Sequence, residues 1–385
     1  MSTLRHLTAG ESHGAGLTAI VEGCPAGVAL DAAAIDADLA RRQLGFGRGG
    51  RQRIEQDRVA ILSGVRHGRT TGAPIALGVA NRDAPQWVAT MAVEPVDDPG
   101  APVRIPRPGH ADLAGSTLYG LDDLRDVIER ASARETAARV ACGAVARRLL
   151  SLAGCTVGSH VVAVGEIEAG VEATPAGLER VDADPLRCLD TAASAAMRDA
   201  VVKAGEAGDS LGGVFEVIAY GFPPGVGSYA QADRRLGTRL AAAVFGIPAI
   251  KGVEIGLGFE AARRPGSRVH DEILWSEADG YGRSGNNAGG IEGGISTGLP
   301  IVVRAAMKPI ATLTSPLASV RLGTHETVAA HVERSDVCAV PAAAVVGEAV
   351  VALCLAAALL ERCGAETADE LVAGAATLRE RARRP

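Results

Sequence analysis

Runs of β-forming residues recur along the chain between glycines. LTAIVEG, VAILSGV, GGVFEVIAYG and LPIVVRAAM are the clearest, and each predicts a strand. Helical spacing appears between them. DAAAIDADLARRQLG places Ile35 and Leu39 four apart and closes on Gly45, which predicts a short amphipathic helix. After Ser132, apolar or small residues at Ala137, Val140, Ala141, Ala144 and Val145 share one helical face. A further helix is expected after Pro341. Strands and helices mix without a βαβ rhythm or a fixed repeat, so the pattern predicts α/β layers and not a Rossmann sheet.

Residues 337–360 are very apolar, but Glu348 divides them. Pro341 and Gly364 sit where helix start and stop signals belong. This reads as a buried helix, not a membrane span. No Pro/Ser-rich or charged linker divides the 385 residues, so one domain over 1–385 is expected. Arg5, His6 and Glu11 interrupt any signal-like apolar start. The net charge of −6 argues against a general nucleic-acid binder. Seven cysteines, an odd number without CxxC, suit reduced cytoplasmic thiols. Only Lys203, Lys251 and Lys308 are lysines, the other basic residues being arginine. A lysine retained in that background suggests a need for lysine itself, and Lys251 and Lys308 lie in dense small-residue motifs.

The candidate chemistry is scattered over several motifs. TAGESHGAG (8–16) sets His13 among small residues, where a core-filling histidine would want bulky neighbours. GAGLTA has Rossmann-like glycines, but its strand-like run follows instead of preceding it, so close ligand approach is the better use for them. RRQLGFGRGGRQR (41–53) carries five arginines and no acid. Its glycines let the loop fold over an anion through Arg48, although a solvated basic loop is the plainer reading of the stretch alone. In ERASARET, Ser132 and Glu135 have capping-box spacing. Arg130 and Arg134 flank the same helix start, where cations are unfavourable unless an anion offsets them. RPGHAD holds His110 on a loop stiffened by Pro108. No metal-ligand spacing, HExxH or nucleophile elbow occurs. These features suit a small phosphorylated polyanion and acid chemistry.

Together the motifs resemble the chorismate synthase family. The resemblance rests on GESHG (10–14), RRQLGFGR (41–48), RPGHAD (107–112), RASARET (130–136), KGVEIG (251–256), AGGIEGG (288–294), Lys308–Pro309 and Arg334–Asp336, in order along nearly the whole chain. The combination is specific where each motif is not. One departure is KPIAT from Lys308, where many members carry serines.

The resemblance implies a lyase of the shikimate pathway that eliminates phosphate from 5-enolpyruvylshikimate 3-phosphate in an anti-1,4 sense. It implies reduced FMN as cofactor, without net redox change. It implies a β-α-β sandwich of antiparallel sheets around a helical layer, assembled as a cytoplasmic homotetramer. Flavin contacts are expected at Arg130, Ala131, Ser132, Pro248, Ala249, Gly293, Lys308, Pro309, Ile310, Ala311, Thr312 and Arg334. Arg42 and Arg48 match arginines linked to substrate, or to NADPH in members that reduce their own flavin. Arg134 and Arg334 are expected at substrate anions, and Asp336 near flavin N5. His13 is the candidate acid for the leaving phosphate, with Ser12 in the relay, His110 is the candidate proton donor to flavin, and Ser132 and Asp336 are further catalytic candidates. The match ends before Arg51, so Arg48 is expected to matter more. A flavin oxidoreductase using NADPH and an arginine-loop nucleic-acid module are the rival classes, with no membrane partner.

Overall fold

The computed structural model describes residues 4–50, 54, 56–278 and 280–383. Strands β1 (Arg5–Ala9), β2 (Gly16–Glu22), β3 (Val59–Ile61) and β4 (Ile75–Ala80) form one sheet in the order β1-β2-β4-β3. Strands β5 (Thr156–Val164), β6 (Ile167–Glu168), β7 (Gly213–Tyr220), β8 (Ile250–Ile255) and β9 (Ile301–Met307) form a second, in the order β8-β9-β7-β5-β6. Every pairing in both sheets is antiparallel. Period-two burial marks the inner faces. Leu17, Ala19 and Val21 of β2 are buried, as are Ile301, Val303 and Ala305 of β9.

The helical layer lies between the sheets. Helix α1 (Ala32–Gln43) is capped by Asp31, which accepts from the Ala34 N–H at 2.8 Å. It buries Ile35 and Leu39. Two short helices, α2 (Asp112–Tyr119) and α3 (Arg125–Arg130), precede α4 (Thr136–Leu152). Later come α5 (Thr191–Glu206), α6 (Leu236–Phe245), α7 (Val340–Cys363) and α8 (Ala368–Ala382). Helix α4 lies on the first sheet, α7 lies on the second, and the two pack on each other. This is the antiparallel sandwich around helices that the family resemblance implies. All seven cysteines are free.

The middle layer depends on close backbone approach. A Cβ on Gly143 of α4 would lie 2.3 Å from the Cβ of Ala349. A Cβ on Gly347 would lie 2.6 Å from the Phe215 ring. Helix α7 begins with Pro341 in its first turn and ends at Gly364 in the left-handed region, φ 66°. By length and composition it could cross a membrane, but its apolar window is 94% buried within the chain. It is a core helix here.

Glu348 sits in the middle of this apolar helix, 1% exposed. It accepts from Arg41 at 2.8 and 2.9 Å, Arg147 at 2.6 Å, Arg187 at 2.8 Å and Ser159 at 2.7 Å. One carboxylate thus ties α1 and α4 to α7, together with Arg187 from the segment before α5. Burial pushes the Glu348 carboxyl up, but Arg41, Arg147 and Arg187 outweigh it and hold it at about 2. An unfolded glutamate titrates near ~4.3. The folded value is the lower one, so this stability is complete above the unfolded value and is lost as pH falls toward about 2. Glu348→Gln is therefore expected to cost about 3–5 kcal/mol at neutral pH, because it leaves buried guanidinium groups unpaired. Denaturant melts across the acid range should also show a shallower fall in stability for the variant than for the wild type. Equal slopes would mean that Glu348 does not titrate with unfolding.

Candidate active site

A cavity of about 580 Å³ opens where the starts of α4 and α7 meet the loops from both sheets. Ser12, His13, Arg42, Arg48, His110, Ala131, Ser132, Arg134, Pro248 and Ala249 all line it. So do the run from Lys308 to Thr312, Arg334 and Asp336. Motifs separated by hundreds of residues in the chain thus share one wall. Two expected residues do not line it. Arg130 turns away and donates to the carbonyls of Gly10 at 3.0 Å and Thr8 at 3.1 Å. Gly293 lies in the turn between Ile291–Glu292 and Ile295–Ser296, where, among the described residues, a Cβ would meet open space. Arg51 lies outside the described residues.

His13 follows β1, on the irregular turn that leads into β2. Its sequence neighbours are small, but the fold supplies a bulky one. The Trp87 ring stacks on it with centroids 4.0 Å apart. Its Nδ1 lies 2.8 and 3.0 Å from the two oxygens of Glu129, which also accepts the His13 backbone N–H at 2.8 Å. Next to it, the Ser132 hydroxyl donates to the Ser12 hydroxyl at 3.1 Å.

His110 is anchored in the same way. Its Nδ1 is 2.5 Å from Asp112 Oδ1. Arg107 grips the other oxygen of Asp112 through its Nε at 2.8 Å and its backbone N–H at 3.0 Å. Burial raises the Asp112 carboxyl, but the hydrogen bonds from His110 and Arg107 prevail and hold it well below the usual range. Gly109 has φ +77°, a backbone shape that glycine adopts without strain. Its carbonyl accepts from Lys308 Nζ, which joins the two loops. Burial, with Lys251 nearby, lowers the Lys308 pKa.

The arginines form a buried cationic wall. Arg42 donates to the Thr136 hydroxyl and the Ala133 carbonyl, both at 2.9 Å, and lies 3.6 Å from Asp57. Burial, aided by Arg48 and Arg134, lowers its pKa to about 10 against the pull of Asp57. Arg48 pairs with Asp336 at 3.2 Å, and its buried Nε has no hydrogen-bond partner among the described residues. Asp336 also accepts the Gly49 N–H at 2.7 Å. Arg334 pairs with Asp83 at 2.6 Å.

Ser132 and Glu135 do not form the expected capping box. Ser132 accepts the Arg134 N–H at 3.2 Å and starts a three-residue 3-10 turn, with α4 beginning only at Thr136. Glu135 instead accepts from Arg139 at 2.7 Å, one helical turn on. Nor does Arg134 depend on a ligand anion to offset its charge. It donates to Asp57 at 2.6 Å and to Asn81 at 2.8 Å, fully inside the protein. The family motifs hold neither Asp57, Asn81 nor Trp87, so sequence reading missed them. Arg107, Asp112 and Glu129 were inside or beside quoted motifs, and their roles needed the fold.

The fold and cavity bring a group of arginines and two carboxylate-anchored imidazoles into one cleft of an α/β protein. The sequence profile described as chorismate synthase matches residues 4–360. A protein named chorismate synthase 1 from Bacillus thuringiensis is 55% identical over 375 residues, covering 95% of this chain and 96% of its own. Chorismate synthases from Geobacillus kaustophilus and Symbiobacterium thermophilum are also 55% identical, each with 95% of this chain and 96% of their own covered. A crystal structure of chorismate synthase superposes with a TM-score of 0.80 at 44% identity, over 99% of this chain and 98% of that one. The chain belongs to the chorismate synthase family, lyases of the shikimate pathway.

The Arg134 geometry makes a prediction. Arg134→Gln breaks a buried pair and leaves Asp57 short of a partner, so it is expected to destabilise the free protein by about 3–5 kcal/mol. It should also weaken substrate binding, because Arg134 lines the cavity. A ligand-free melt and a substrate titration of one variant test both effects. An unchanged melting temperature would show that the Asp57 pair contributes nothing net.

Proposed function

We propose that the cavity is where this chain eliminates phosphate from 5-enolpyruvylshikimate 3-phosphate to give chorismate, with reduced FMN bound in the same space. The observation that carries the reading is the joining of a buried arginine wall to two anchored imidazoles in one cavity. Desolvated guanidinium groups bind phosphate and carboxylate strongly, because little water competes for them. The volume falls in the range of cofactor and substrate clefts, roughly 300–1,000 Å³.

The residues present fit a flavin. Ala131, Ile247, Ala249, Met307 and Ile310 supply apolar lining for a flat ring, and Lys308 and Arg334 supply cationic donors. The Arg48 Nε, buried and without a partner among the described residues, is a donor suited to a ligand acceptor. When bound, reduced FMN supplies electron density to the electron-poor path of the elimination. Ser132, Pro248, Pro309, Ala311 and Thr312 complete its expected surroundings, and Asp336 stands on the same wall.

His13 acts as the general acid for the departing phosphate. Nδ1 is taken by Glu129, so proton delivery falls to Nε2. Ser12 and Ser132 extend the hydrogen bonding beside it. His110, held by Asp112, serves the flavin side, where Lys308 meets its loop. Arg42, Arg48 and Arg134 hold the substrate anions, with Arg334 at the rim. In the same reading the chain assembles as a cytoplasmic homotetramer, and Leu7 and Ile20, exposed on the outer face of the first sheet, suit cover by another copy. NADPH enters only as a reductant of flavin, through Arg42 and Arg48.

Two outcomes follow. Anaerobic assays with pre-reduced FMN should release phosphate and chorismate with no NADPH present, and a strict stoichiometric demand for reductant would defeat the lyase reading. His13→Ala should lower turnover by about 10²- to 10⁴-fold, as loss of a general acid typically does, with little change in FMN affinity. Normal turnover combined with lost flavin affinity would make His13 a cofactor ligand instead.

A further inference from the structure

The geometry points to Glu129 as the positioning residue of His13: its carboxylate holds Nδ1 and sets which imidazole nitrogen faces the reaction. The inference rests on His13 being the acid proposed above. Glu129 lies on α3, and its side chain is 1% exposed. A carboxylate can only accept, so a hydrogen bond at Nδ1 places a proton there in both the neutral and the charged ring. Nε2 then gains and loses the working proton. A third group that orients a proton carrier in this way is the logic of the serine protease triad.

The ring is fixed in two further ways. Trp87 stacks on its face with an interplanar angle of 27°. The Arg125 guanidinium sits 5.3 Å from the Trp87 ring and donates to Glu129 at 3.3 Å. Arg125 also donates to Glu333 at 2.9 Å, and Glu333 lies 3.9 Å from Arg107, which holds Asp112 and hence His110. His331 is 3.2 Å from the same Glu333. Carboxylates and guanidiniums alternate without a break from one imidazole to the other. Glu129 is therefore itself held in place, which a positioning residue requires.

The test compares Glu129→Gln, Glu129→Asp, His13→Ala and the Glu129→Gln/His13→Ala double variant, together with nitrogen NMR of 15N-histidine-labelled protein. In the wild type, the neutral His13 ring should carry its proton on Nδ1, and Glu129→Gln should abolish that preference. Glu129→Gln should lower kcat by between about 10- and 10⁴-fold, bounded by loss of the imidazole itself, and Glu129→Asp should recover part of it. Substrate KM should move much less than kcat. In the double variant, the glutamine should add no further loss to that of His13→Ala. A wild-type ring protonated on Nε2 overturns the inference without any variant. So do an unchanged kcat and tautomer in Glu129→Gln, or losses that multiply in the double variant. If His13→Ala alone turns over normally, the acid assignment falls, while the NMR result still decides whether Glu129 sets the tautomer.

Discussion

The close approach of α4 to α7 is the constraint on which the site depends. Glycine at 143 lets the two backbones meet where even an alanine would collide with Ala349. That contact fixes the distance between the two sheets, because each helix is bound to a different one. The N-terminal ends of the same two helices carry Thr136, Ala339, Ala342, Ala343 and Val346 into the cavity. A wider helix pair would move the arginine wall away from the apolar lining opposite. Dense packing transmits such shifts because interiors leave little slack.

Adjacent arginines at the end of α1 divide two tasks. Arg41 turns to Glu348 and helps to lock the helical layer. Arg42, about 100° further around the helix, reaches Thr136 and the Ala133 carbonyl at the cavity. The structural lock is electrically satisfied, since Glu348 meets several guanidinium groups with Asp38 and Asp182 close by. Among the described residues, the cavity wall shares a carboxylate instead. Asp57 serves both Arg42 and Arg134, and the depressed Arg42 pKa reflects burial and its cationic neighbours together.

Periodicity made the elements legible. The alternation in LPIVVRAAM and the four-residue spacing of Ile35 and Leu39 both survive as buried faces. The motif pieces of the site were legible too, since glycine, arginine and histidine clusters have few other uses in such density. The partners of those pieces were not. Glu129 meets His13 across 116 positions, and Asp57 meets Arg134 across 77. Neither carries a local pattern, because a lone acid has no period. The capping-box spacing at Ser132 and Glu135 misled for a related reason. Local geometry offered Glu135 the backbone N–H of the N-cap, but Arg139 one turn later offered it a full opposite charge as well as a donor.

Asn81 shows how tightly the His13 loop is specified. Its side-chain amide donates to the carbonyls of Glu11, Ser12 and Gly14, at 3.0, 3.2 and 2.7 Å, while its oxygen accepts from Arg134 at 2.8 Å. A single amide thus folds the GESHG turn around itself and attaches it to the arginine wall. The glycines that make this turn look bare in sequence let its carbonyls converge on Asn81. His13 is then delivered by backbone geometry to the plane where Glu129 and Trp87 receive it. Polar groups buried at this density are costly unless every one finds a partner, so the turn has few alternative shapes. An active site gains from that stiffness, because orientation is settled before substrate arrives.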